Sequence, residues 1–224
     1  MKVIAINGSS RTNGNTAELL THALRGAAEA GAETELIHLR PLNYRGCSSC
    51  FSCKDKSKPH GVCAMKDDLS PVLEKIKTCD GLILGSPIYY GGMSSNLLAF
   101  LERFLYSNSI YSNEIPTVFP KPLPWGMIYD MNMSKPEWDK MGLENNLLVF
   151  HNSIIHTLRQ RPQLLFVHNT LQFADYAQYE SSMFSPEEKA EHHRVQFPLD
   201  CEAAAEMGRK IVSKAKFLKE RDAK

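Results

Sequence analysis

Along this chain, short apolar runs rich in β-branched residues alternate with stretches of helical period, and that alternation restricts the fold more than any other feature. The run KVIAIN at residues 2–7 is nearly continuous in its hydrophobicity, as a strand buried on both faces must be. From Thr16 onward, Leu20, Ala23, Leu24 and Ala27 recur at i, i+3, i+4 and i+7, predicting a helix that ends near Gly31. TELIHL, GLILGSP, WGMIYD and QLLFVH supply four further strands. Helical stripes lie between and after them at residues 67–77, 95–106, 143–159 and 201–219. In the first of these, an Asp at the start and Pro71 in the opening turn mark a helix beginning, which is also the reading given to Asp67 and Asp68. Five strands separated by helices resolve as a parallel sheet covered on both faces by right-handed crossovers. The expectation is an α/β three-layer sandwich with strand order 2-1-3-4-5.

The 224 residues suffice for one well-packed domain with insertions, near 107–122 and 170–199, that suit lids, binding loops or subunit contacts. With 26 Lys and Arg against 25 Asp and Glu, nothing attracts nucleic acid or an anionic membrane in general, so small molecules or proteins are the expected partners. Neither a secretory signal nor an apolar run approaching the roughly 18 residues of a membrane span is present. The expected location is cytoplasmic, where clustered thiols point to metal or redox chemistry before structural disulfides.

Two loops follow buried strands on the side where open α/β sheets place ligands. NGSSRTNGNT, residues 7–16, combines a helix N-terminus with the hydroxyls of Ser9, Ser10 and Thr16 and the charge of Arg11, a setting for phosphate. It is neither a P-loop nor G-x-G-x-x-G, and taken alone it is also compatible with a polar turn and helix cap. GSPIYYGGMSSN, residues 85–96, offers Pro87, two tyrosines and paired glycines, which suit a flat heterocycle; the alternative is that the tyrosines only cap a core. In a 2-1-3-4-5 sheet both loops face one crevice, and a phosphate at one with a ring at the other describes FMN.

GSSRTNGNT and GSPIYYGGMSSN, about 75 residues apart, resemble the flavodoxin-like NAD(P)H-dependent FMN reductases, and the cysteine segment between them resembles their iron-sulfur flavoprotein branch. The resemblance covers roughly residues 1–106. It implies a flavodoxin-like fold, NAD(P)H as co-substrate, and a homodimer or homotetramer in which a neighbouring subunit helps to enclose the flavin. By position it assigns Ser9, Ser10, Arg11, Asn13, Asn15 and Thr16 to the phosphate, and Pro87, Ile88, Tyr89, Tyr90, Gly91 and Gly92 to the isoalloxazine. The YDMNM stretch after the fourth strand is a further candidate wall of the flavin site, though it matches no family pattern.

Cys47, Cys50 and Cys53 form C-x2-C-x2-C, with Cys63 after nine intervening residues, a longer gap than the branch usually shows. A [4Fe-4S] centre on these four thiolates is the first reading, a redox-active or vestigial thiol group the second, and structural zinc the third. His60 reads as a solvated loop residue, Cys79 and Cys201 as small core residues, and the remaining histidines carry no assigned chemistry. No catalytic nucleophile or base is assigned, because a bound flavin carries the chemistry. The expected activity is electron transfer from NAD(P)H or a protein donor to a quinone, flavin, oxygen or protein acceptor. The alternatives are an FMN-binding electron carrier that does not oxidise NAD(P)H and a zinc-stabilised binding protein that is not an enzyme.

Overall fold

The computed structural model describes residues 1–222. Its strands are β1 (Lys2–Asn7), β2 (Glu33–His38), β3 (Gly81–Tyr89), β4 (Gly92–Met93), β5 (Trp125–Asp130) and β6 (Gln163–Val167). The helices are α1 (Asn15–Glu29), α2 (Ser70–Thr78), α3 (Ser95–Asn108), α4 (Lys135–Met141), α5 (Asn145–Leu158), α6 (Pro186–Val195) and α7 (Phe197–Asp222). The sheet runs β2-β1-β3-β5-β6, every neighbouring pair parallel, with β4 folded back antiparallel on the end of β3. Setting the two-residue β4 aside, this is the expected 2-1-3-4-5.

Residues on a strand alternate between faces, and the core divides accordingly. Val3, Ala5, Ile83 and Ile128 pack with α1 and α7, while Ile4, Ile6, Leu82, Leu84, Met127 and Tyr129 pack with α2, α3 and α5. All of these residues are buried, which is why their strands read as continuous apolar runs and not as an alternation.

Several features depart from the sequence reading. β4 is absent from it, and so are α4 and α6. α4 is short but opens on a capping box in which Ser134 and Glu137 satisfy each other's backbone donors. α6 lies within the segment 170–199, its N-terminus capped by Ser185. α7 starts at Phe197, four residues earlier than its stripe suggests, because Phe197 is itself buried in the core. Among the described residues no helix is long and apolar enough to cross a membrane.

On one face α1 and α7 approach to backbone contact. A Cβ at Gly26 would stand 1.9 Å from the carbonyl oxygen of Ala205, and one at Gly208 would stand 1.9 Å from that of Ala23. At the amino ends of the strands, Asp80 accepts from the backbone N–H of Lys2 at 2.9 Å and from the ammonium of Lys219 at 2.9 Å, tying the beginning of β1 to the end of α7. Replacing Gly26 or Gly208 by Ala drives backbone against backbone, with no flexible side chain to yield. Each substitution is expected to lower stability by about 1–3 kcal/mol in urea unfolding, whereas Gly31→Ala, where nothing lies within 4 Å but φ is +91°, should act only through backbone strain.

Candidate functional site

The loop after β1 is shaped by Asn7, which is fully buried. Its Oδ1 accepts from the N–H of Ser9 at 2.9 Å, and its Nδ2 donates to the carbonyl of Arg11 at 3.2 Å. Ser9 Oγ then accepts from the N–H of Arg11 at 3.0 Å. These bonds curl the chain into α1, whose N-cap Gly14 offers no side chain to the first-turn amides. Those N–H groups remain available to an anion. The far side of the loop is tethered to the segment after β6, where Arg11 Nη1 donates to the carbonyl of Gln172 and Asn15 Nδ2 to that of Leu171, both at 2.8 Å.

The second loop is the tight hairpin between β3 and β4. Tyr89 pairs with Gly92, and the two central residues, Tyr90 and Gly91, have φ of +50° and +77°. Both therefore occupy the left-handed region that a two-residue hairpin favours. Glycine adopts it freely, but a tyrosine held there is strained, and such strain gathers at functional sites. The ring of Tyr90 is fully exposed. Ser94, the side-chain cap of α3, donates to the carbonyl of Gly8 at 2.7 Å and so joins the two loops.

Between these loops lies a cleft of ≈ 400 Å³ lined by Ser9, Arg11, Asn15, Thr16, Pro87, Ile88, Tyr89 and Tyr90, together with residues 130–132 and 170–172. Of the residues singled out in the sequence, Ser10 and Asn13 are exposed outside this lining, Gly91 lines an adjoining cavity, and Gly92 pairs in β4. The adjoining cavity, ≈ 730 Å³, shares Ile88, Tyr90, Met131 and Asn132 with the cleft and extends beneath α4 and α6 past Met133, Trp138, Met141 and Phe184. Lys189 of α6 is buried in its wall, donating to Asn132 O at 2.8 Å and to the side-chain oxygens of Asn132 and Asn169 at 2.5 Å each.

Sequence reasoning missed Asn7, Lys189 and the role of Asp130; for Asp130, the placement of YDMNM beside the site was the only signal. The Asp130 carboxyl is buried on the cleft floor, accepts from Thr16 Oγ1 at 2.6 Å, and has Arg11 as the charge acting on it. Burial pushes its pKa up to about 6 against the opposing pull of Thr16.

The cysteine segment lies against α3. Cys47, Cys50, Cys53 and Cys63 line one small cavity with Phe51, Arg103 and Tyr106. Ser49 and Phe51, on either side of Cys50, have φ of +53° and +56°, which curls the run inward. One face of α3 holds the segment: Glu102 accepts from Cys47 N–H at 3.0 Å, Arg103 Nε donates to Cys63 Sγ at 3.0 Å, and the Tyr106 carbonyl accepts from the Cys53 thiol at 3.8 Å and from Lys54 Nζ. Hydrogen bonding from the Ser52 backbone pulls the Cys50 thiol below its ordinary range, while burial pushes Cys53 up. Cys79 and Cys201 are buried core residues and His60 is exposed.

Residues 1–117 match the family described as NADPH-dependent FMN reductase. An iron-sulfur flavoprotein of Methanocaldococcus jannaschii is 45% identical over 103 residues, 46% of this chain and 51% of that protein. One of Methanosarcina thermophila is 31% identical over 103 residues, 46% of this chain and 52% of that protein. The chain thus matches about half the length of these curated relatives. Among solved structures, an NAD(P)H:quinone oxidoreductase from Methanothermobacter marburgensis aligns over 94% of this chain and 96% of its own with a TM-score of 0.69 at 14% identity. A flavodoxin from the domain Archaea aligns over 96% and 99% with a TM-score of 0.50, also at 14% identity. At such identities these likenesses establish the flavodoxin-like fold.

The raised pKa of Asp130 makes a prediction about stability. Below pH 3.8 the carboxyl is protonated in both folded and unfolded chains; between 3.8 and about 6 the unfolded chain ionises first, so stability falls as pH rises through that window and then levels. Asp130→Asn removes this dependence. In urea unfolding its stability relative to the unsubstituted protein should improve by on the order of 3 kcal/mol between pH 4 and pH 7; a gap that does not change with pH refutes the assignment.

Proposed function

The chain belongs to the NADPH-dependent FMN reductase family, and from that premise we propose that it is an FMN-dependent oxidoreductase of the iron-sulfur flavoprotein type. It passes electrons between NAD(P)H or a protein donor and a quinone, flavin, oxygen or protein acceptor. The observation that carries this reading is the convergence of an uncapped helix N-terminus and a strained, exposed tyrosine hairpin on one cleft at the β1–β3 junction.

The donor chemistry fits FMN. The amides of the first turn of α1, the Ser9 hydroxyl and the Arg11 guanidinium supply hydrogen bonds and positive charge for a phosphate. Pro87 to Tyr90 supply a flat apolar wall for the ring, with Gly91 and Gly92 keeping the backbone open beside it. When bound, FMN supplies both hydride and single-electron chemistry. The protein's part is to orient the ring and to keep water from one face. A second copy of the chain, in a homodimer or homotetramer, covers the exposed Tyr90.

The cysteine cage holds a [4Fe-4S] centre in this reading, with Cys47, Cys50, Cys53 and Cys63 as ligands. The C-x2-C-x2-C run and the single cavity that all four cysteines line support it. The adjoining cavity, apolar over Met133, Trp138 and Phe184 with Lys189 and Asn169 as polar points, suits a small-molecule acceptor. It favours an enzyme over a carrier, which needs only an exposed flavin edge.

Anaerobic purification with FMN, iron and sulfide analysis tests the reading. The expected product carries one FMN and about four irons per chain, and its flavin absorbance bleaches on mixing with NADH or NADPH. Arg11→Ala should weaken FMN about tenfold, the scale of one charge-assisted hydrogen bond, and leave riboflavin unaffected. Protein that binds no FMN, or an Arg11 variant that weakens both ligands equally, overturns the proposal.

A further inference from the structure

Arg103 is the largest charged group in the interior, 1% exposed in the middle of α3. A buried guanidinium must place all five of its N–H groups, and here each has an acceptor. Nη1 donates to Asp67 Oδ2 at 2.7 Å and to the Arg45 carbonyl at 3.1 Å; Nη2 donates to Asp67 Oδ1 at 3.2 Å and to the Met65 carbonyl at 3.4 Å. The fifth, Nε–H, goes to Cys63 Sγ at 3.0 Å. The bidentate Asp67 pair fixes the plane of the guanidinium, so the direction of the Nε–H bond is fixed with it.

The nine residues between Cys53 and Cys63 form a loop hung between two anchors on α3. At one end Lys54 Nζ binds the carbonyls of Tyr106 and Ser109; at the other, Arg103 holds Cys63. Residues 55–60 are exposed between them. The place of the fourth sulfur is therefore set by α3 and not by the length of the spacer, which accounts for a gap longer than the compact arrangement needs.

We propose that Arg103 is a positioning residue for the metal centre, selecting Cys63 as the fourth ligand and donating an N–H···S bond that stabilises the reduced centre. This inference rests on the [4Fe-4S] reading of the cysteine cage. An N–H donor on a ligand sulfur offsets the negative charge gained on reduction and raises the midpoint potential. The neighbouring Asp67 balances the guanidinium's charge, so the directed hydrogen bond carries the effect.

The test compares the anaerobically reconstituted full chain with its Arg103→Met and Arg103→Lys variants and with a chain lacking residues 56–58. Bound FMN monitors the fold, iron release to a chelator monitors ligand hold, and a redox titration followed by electron paramagnetic resonance reads the potential. Both Arg103 variants are expected to lose iron roughly tenfold faster, the scale for a hydrogen-bond partner of a metal ligand, and to titrate at a more negative potential with FMN retained. The shortened chain should match the unsubstituted protein in both respects. If Arg103→Met loses FMN as well, the Arg103→Lys and shortened chains decide. Unsubstituted protein holding four irons while the Arg103 variants keep its release rate and potential overturns the role of Arg103 alone. Iron-free unsubstituted protein overturns the cluster reading and this inference with it.

Discussion

The N–H of Gly8 donates to the carbonyl of Gly85 at 2.9 Å, carrying the pairing with β3 one residue beyond β1 and into the loop that follows it. A Cβ at Gly8 would stand 2.7 Å from that of Leu97, so the backbone there lies directly against α3. With Ser94 returning a hydrogen bond to Gly8, the phosphate-type loop and the tyrosine hairpin behave as one piece. The crossover from β1 runs over one face and that from β3 over the other, which opens the crevice between their loops.

α3 extends this rigidity to the cysteines. It begins directly after the hairpin, is pinned near its start where Tyr44 Oη donates to the Asn96 carbonyl at 2.6 Å, and then presents Glu102, Arg103 and Tyr106 to the cysteine segment. From Ser95 to Arg103 the helix rises about 12 Å. The cleft and the cage are thus held at opposite parts of a single packed element, and their separation does not depend on any flexible linker.

The strands, the main helices and the two loops were legible because their signals are local: burial on both faces, a 3.6-residue stripe, turn residues at a strand end. What escaped depends on partners far along the chain. Asp130 meets Thr16 across 114 residues, Lys189 meets Asn132 across 57, and Arg103 meets Cys63 across 40. Asp67 shows the same limit from the other side. Its Oδ1 does accept from the Leu69 N–H where α2 begins, as the sequence suggests, yet its second duty toward Arg103 has no local mark. That the second loop folds back as a hairpin escaped for a different reason, since a tyrosine is not the residue that a left-handed turn position advertises.

Asp80 holds the first residues of β1 and the last turn of α7 within reach of one carboxylate, at the amino ends of the strands, opposite the cleft. One carboxylate thus clamps the starting strand to the closing helix at the far ends of the strands, so a disturbance at that clamp reaches the cleft only along the whole length of the central strands.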